Sequence, residues 1–291
     1  MMEEQLQHLK QLVEKNLEIK TENIKNSKFL CVASGKGGVG KTNFSVNFAY
    51  TLANKLDKKV LLIDADIGLG NIHVILNIPL IRSLKDFFEG KKDIEENIIS
   101  VKGFDLIPGF SGIDNISELE EEKVVMLVNK LNEISAKYDY IIIDTGAGIG
   151  KDVINFVVPS DKTFVITTPE PTALTDAYSF IKSLYKIYNY KNFKIIVNLA
   201  KNEEEAYETF NRINTSSKKF LNLDLELIGF LPISENLKKS VIERKLICEE
   251  FPKDKFSEKI LEIALKETGE KTEKKEKSFF EKFLSLLKGR A

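Results

Sequence analysis

The chain has 291 residues, 43% of them hydrophobic, enough for one large domain or two small ones with a sizeable core. Its 43 basic and 44 acidic residues nearly cancel, so no overall field points to nucleic acid, and partners must be argued from segments. Cys31 and Cys248 lie far apart without metal-ligand spacing, which excludes a disulfide framework and suits a reducing compartment. The N-terminus "MMEEQLQHLK" has no apolar signal core, and no apolar run reaches the ~18 residues of a membrane span, so a cytoplasmic protein is expected.

Residues 1–26 form a polar extension with Leu6, Leu9, Val13 and Leu17 at helical spacing, the pattern of a short amphipathic helix and a linker. From residue 27 the pattern changes. The runs "FLCVAS", "KVLLID", "YDYIIID", "KTFVITT", "FKIIVNLA" and "LELIGFLP" alternate with helical stretches at Thr42 to Leu56, Ser117 to Lys137, Thr172 to Tyr188, Glu203 to Phe220 and Glu235 to Lys245. Strands apolar on both faces and separated by helices predict a parallel sheet covered on both sides, and right-handed crossovers make it a doubly wound α/β domain over 27–268. A charged linker over 269–277 follows, with nothing to bury. At 278–291 the apolar pattern returns in "SFFEKFLSLLKGR". Steps of about 100° per residue place Phe279, Phe280, Phe283, Leu284, Leu286 and Leu287 on one arc, opposite Glu281, Lys282, Ser285 and Lys288. Such a stripe fits a core helix or an interfacial one. The charged linker before it, the two leading phenylalanines and the excess of lysine over acid favour an anionic membrane surface.

The stretch "SGKGGVGKTN" runs from Ser34 to Asn43, and within it Gly35, Lys36, Gly37, Gly38, Val39, Gly40, Lys41 and Thr42 fit G-x-x-x-x-G-K-[ST] between a strand and a helix. Glycines let successive backbone N–H groups point inward at an oxyanion, and the helix N-terminus adds the positive end of its dipole. Lys41 is placed to reach β- and γ-phosphates, and the Thr42 hydroxyl to ligate Mg2+. Asp64 and Asp66 lie at the carboxyl end of the second strand and Asp144 at the end of "YDYIIID", where open α/β sheets hold their ligands. These residues predict an ATP site with magnesium.

The additional lysine, Lys36, makes the loop resemble the deviant Walker A motif of the MinD/ParA group of ATPases. That resemblance spans roughly residues 28–268. It implies an ATP-dependent homodimer in which Lys36 crosses to the partner's nucleotide, as an arginine finger does. It further implies that Asp66 positions the attacking water, that Asp64 and Asp144 support magnesium, that Asn71 lies in a switch region, and that Asn198 recognises adenine with Pro232 to Glu235 as the other wall. Within the group, "DADIGLGNI", "IIDTGAGIG" and "TTPEPTALTDAYSFIK" look like the flagellar-number regulators of the FlhG type, and Thr145 with Gly146 departs from the serine–proline pair of division regulators.

Glu4 to Lys10, "EQLQHLK", resembles the DQAxxLR motif by which that branch engages the signal-recognition-particle-like GTPase FlhF, with Gln5 and Leu9 matching. A flagellar transcriptional regulator or switch-complex protein is a further partner implied by the resemblance. The alternatives are a MinD-type division-site regulator and a ParA-type positioning ATPase. The latter needs a basic DNA surface, and no isolated lysine and arginine cluster stands out in the core. A cluster-bridged reductase of the same superfamily fails because Cys31 lies in a strand and Cys248 in a late helix.

Overall fold

Every residue of β2 (Val60–Ala65) is buried, and so is all of β1 (Lys28–Ser34) beyond Lys28, because both strands lie inside a sheet with helices on each face. The structure, a computed structural model, describes residues 27–66, 70–80, 82–109, 121–269 and 279–288, without the side chains of 121–125, 281, 284, 287 and 288. Six further strands are β3 (Ile99–Val101), β4 (Phe104–Ile107), β5 (Tyr140–Ala147), β6 (Lys162–Thr167), β7 (Phe193–Ala200) and β8 (Glu226–Pro232). They form one eight-stranded sheet in the order β3-β4-β2-β5-β1-β6-β7-β8, parallel except for β3. This is the doubly wound α/β architecture expected from the alternating pattern.

The principal helices are α1 (Lys41–Leu56), α2 (Glu121–Ser135), α3 (Lys151–Val157), α4 (Pro171–Tyr188), α5 (Glu203–Leu221), α6 (Glu235–Glu243), α7 (Lys255–Gly269) and α8 (Phe279–Lys288). One apolar layer joins the sheet to α2, α3, α4, α5 and α8, and the other joins it to α1 and α7. The pattern reading does not anticipate α3, α7 or the β3–β4 hairpin. The hairpin turns on Lys102 and Gly103, both at positive φ (51° and 86°), the backbone of a tight two-residue turn. Asn54 Nδ2 clamps it from α1 by donating to Lys102 O at 2.7 Å.

The C-terminal stripe ends on the domain itself. Phe279, Phe280, Phe283 and Leu286 are buried in the same layer as Leu127, Val128, Leu131 and Ile134 of α2. Phe279 stacks on Phe29 of β1 with ring centroids 4.2 Å apart, and Phe280 meets the same ring edge-on at 5.5 Å. Lys282 donates to Asp161 Oδ1 at 3.4 Å. Of the residues read from sequence as membrane-facing, Phe279, Phe280 and Phe283 therefore pack on β1 and α2, whose apolar side chains cover them. The side chains of Leu284 and Leu287 lie outside the described residues, as do Gln5, Leu9, the whole 1–26 extension and the linker from 270. Among the described residues no helix is long and apolar enough to cross a membrane.

Candidate nucleotide site

The chain leaves β1 at Ser34, the strand at which the order of connections reverses, and enters α1 through the glycine loop. Gly38 and Gly40 take positive φ (77° and 94°), a backbone that glycine adopts freely. At Gly40 a Cβ would also stand 2.3 Å from Asn198 Nδ2. Gly40 is the N-cap of α1 and brings no side-chain acceptor, so the first N–H groups of that helix remain uncapped by any side chain, facing the loop. Asn198, buried at the end of β7, donates from Nδ2 to Val39 O at 2.8 Å and braces the loop from behind. The residue expected to touch adenine thus contacts the phosphate loop. Pro232 lies beside it in space, since it pairs with Ala200 at the same sheet edge.

Lys41 is buried and donates from Nζ to Ser34 Oγ at 3.0 Å, while Ser34 Oγ donates to Lys36 O at 2.7 Å. Burial lowers the Lys41 pKa, and the nearby Asp144 and Asp66 act against that. Asp64 and Asp144 are direct neighbours in the β2–β5 register. Asp144 is fully buried. Its Oδ1 accepts from Ser45 Oγ at 2.8 Å, and its Oδ2 has no partner. Burial raises its pKa to about 6, opposed by the Ser45 hydrogen bond, the nearby Thr42 hydroxyl and the Lys41 charge. Asp64 accepts from the Ile72 and Asp66 N–H groups at 3.2 and 3.3 Å, and burial together with Asp144 pushes it up to about 7.

An orphaned buried carboxylate oxygen beside two hydroxyls and under an uncapped helix N-terminus suits a magnesium ion that arrives with phosphate oxygens. Among the described residues no three acidic, histidine or cysteine side chains are grouped to hold a metal ion. The residues present therefore fit Mg2+ with a nucleoside triphosphate. The raised carboxyl pKa values have a thermodynamic sign. Both groups bind protons more tightly folded than unfolded between about pH 4 and 7, so stability falls as pH rises through that window. The free chain is expected to melt several degrees higher at about pH 5.5 than at about pH 8, and Asp64→Asn to remove much of the difference in calorimetry. An opposite slope, or an identical profile in the variant, would contradict the burial argument.

Asp66 is half-buried just past β2, where burial and Asp152 of α3 raise its pKa while Lys41 opposes them. A Cβ at Gly146 would stand 3.1 Å from Asp66 Oδ1 and 3.9 Å from Asp152 Oδ2, so both carboxylates converge on the space glycine leaves open. Asn71 is exposed at the start of the helical turn Ile72–Ile75. The structure thus gathers Lys41, Thr42, Asp64, Asp66, Asp144 and Asn198 around one loop. Sequence reasoning missed Ser34, Ser45, Asp152, Glu170 and Thr172. Ser45 alone carried a usable signal, lying four residues after Lys41 and so on the same face of α1.

A family model described as an AAA domain matches residues 27–197. The flagellum site-determining protein YlxH of Helicobacter pylori is 36% identical over 275 residues, 91% of this chain and 92% of that protein. The antiactivator FleN of Pseudomonas aeruginosa is 34% identical over 229 residues, 78% of this chain and 81% of that one. The septum site-determining protein MinD of Pyrococcus horikoshii, solved with Mg-ADP, superposes with a TM-score of 0.70 at 20% identity, covering 84% of this chain and 96% of that chain, a likeness of fold. The loop with two lysines, the paired carboxylates at the strand ends and these relatives agree: the chain is an ATPase of the MinD/ParA family, in the branch that contains FleN and YlxH.

Proposed function

We propose that the protein is an ATP-driven switch that pairs around two nucleotides, docks on the inner membrane surface through α8, and controls the number or placement of flagella. The flagellar role is taken from the flagellum site-determining protein YlxH, which this chain matches along most of both lengths. The loop from Gly35 to Asn43 holds the phosphates through its N–H groups, and Lys41 neutralises the β- and γ-oxygens. Bound Mg2+ adds Lewis-acid stabilisation of charge developing on the phosphoryl group. Thr42 and Asp144 hold it, with Asp64 supporting its water shell, while Asp66 orients the attacking water. Lys36 completes the site of a second copy, so hydrolysis depends on pairing and is slow in the free chain. Asn198 and Pro232 flank the adenine once the loop is filled. The 1–26 extension, through Gln5 and Leu9, engages the GTPase FlhF, and a flagellar transcriptional regulator or switch-complex protein reads the paired state.

The observation that carries this reading is α8, an amphipathic helix that packs on β1 and α2 through Phe279, Phe280, Phe283 and Leu286 and takes no part in the sheet. Its apolar face is available to a membrane only after it leaves Phe29. Pairing two such helices raises avidity without any new contact. Sedimentation with anionic vesicles tests it: the full chain should pellet with a nonhydrolysable ATP analogue and Mg2+, and truncation after Thr272 or Phe280→Glu should remove the effect while nucleotide binding persists. Equal pelleting of the truncated chain, or none by the parent at low salt, would sink the membrane reading.

A further inference from the structure

Both oxygens of Asp64 are taken by backbone N–H groups. Oδ1 accepts from Asp66, two residues on, at 3.3 Å, and Oδ2 accepts from Ile72, eight residues on, at 3.2 Å. Its neighbour Asp144 differs in the respect that matters for a metal, since Asp144 Oδ2 has no partner. Two buried carboxylates side by side in the β2–β5 register thus stand in different states, one committed to the backbone and one left open.

The surroundings of Asp64 are built for that arrangement. It is the penultimate residue of β2, so its carboxylate lies where the strand ends and the chain turns to Asp66. Chain from two directions closes over it at residues without side chains. A Cβ at Gly70 would stand 2.8 Å from Asp64 Oδ2, and a Cβ at Gly109, just past β4, would stand 2.9 Å from both its Cγ and its backbone oxygen. These are closer approaches than a Cβ tolerates, so glycine at both positions is what lets the backbone seal the carboxylate. Only 1% of Asp64 is exposed. A buried N–H without a partner is costly, so the two bonds hold both stretches of backbone to one side chain.

We infer that Asp64 is a backbone staple: one carboxylate ties the Asp66 and Ile72 backbones together and so sets where the Asp66 side chain stands relative to the phosphate loop. The inference rests on the reading that Asp66 orients the attacking water. Asp64 is then a positioning residue that acts through Asp66. Each of its oxygens keeps a second lone pair for a magnesium-bound water, so the staple adds to that role without excluding it. The staple itself needs neither nucleotide nor metal, which separates the two roles.

Residue-resolved hydrogen exchange on the full chain in EDTA, without nucleotide, tests it. In Asp64→Ala the Asp66 and Ile72 amides should exchange about ten- to a hundred-fold faster than in the parent, while those of β1 and β5 keep their protection. Asp64→Asn retains one acceptor and should fall between. Gly70→Ala keeps the carboxylate in the chain but crowds Oδ2, so the Ile72 amide should accelerate more than the Asp66 amide. With Mg-ATP, Gly70→Ala should lose roughly ten-fold or more in turnover at unchanged ATP affinity, as expected when the water-orienting group is displaced. Unchanged exchange at both amides in folded Asp64→Ala overturns the staple and leaves Asp64 with the metal's water alone; should that variant not fold, unchanged Ile72 exchange in Gly70→Ala is the overturning result. Faster exchange beside full turnover in Gly70→Ala overturns the positioning of Asp66. Asp66→Ala is the separate control. If it hydrolyses ATP like the parent, the reading of Asp66 fails and takes the positioning role with it, whereas an inactive Asp66→Ala beside unchanged exchange in the Asp64 variants defeats the staple alone.

Discussion

Phe29→Ala is expected to make vesicle binding largely independent of ATP. Phe29 is buried in β1, and both leading rings of α8 rest on it. Each of the two ring pairs contributes about 0.5–1.5 kcal/mol beyond its area, and the lost apolar contact adds ~2 kcal/mol, so docking should loosen by roughly a hundred- to a few-thousand-fold. The apolar face of α8 itself is untouched, which separates release from loss of membrane affinity. The same substitution removes a core side chain at a cost of about 3 kcal/mol or more to the fold, so Phe29→Leu, which fills most of that volume, should show the same direction at smaller size. Vesicle sedimentation without nucleotide reads both. A folded Phe29→Leu that still requires ATP to the same extent as the parent would mean that undocking of α8 does not limit binding.

The difference between α8 as expected and α8 as found shows where a periodic pattern stops being informative. The 100° arc predicts an amphipathic helix and says nothing of what covers it, since a bilayer surface and the Phe29–α2 surface are both apolar. The central strands were legible for the opposite reason: β1, β2 and β5 are apolar on both faces, and only a sheet covered twice over suits that. Strand β3 was not, because Ile99–Val101 is short and half-exposed, although Lys102–Gly103 marks the turn that makes it.

In the site, contiguity decided legibility. The phosphate loop is one stretch of chain, and Asp64 and Asp144 end long apolar runs, so their placement follows from strand termini. Glu170 reaches Lys36 and Asp152 reaches Asp66 only through the fold, and nothing local in "TTPEPTALTD" or "GAGIGKDV" states that proximity. Gly146 belongs to the same class. Its lack of a side chain acquires meaning only once Asp66 and Asp152 are seen to converge beside it.

Mixing two inactive variants tests the claim that each nucleotide is completed by the other copy. Lys36→Ala keeps its own Asp66 but offers no lysine to its partner; Asp66→Ala offers the lysine but cannot position water at its own nucleotide. Each should be nearly inactive alone. In a mixed dimer, the nucleotide of the Lys36→Ala copy has its own Asp66 and receives Lys36 from the Asp66→Ala copy, so one of the two sites is whole. Random pairing makes half of the dimers mixed, and the mixture should recover up to roughly a quarter of the parent's ATPase rate. Were Lys36 to serve its own nucleotide, every site in the mixture would lack one of the two groups. Steady-state ATP hydrolysis in equimolar mixtures is therefore the decisive measurement: recovered turnover is the result this account predicts, and a mixture as inactive as its components would contradict it.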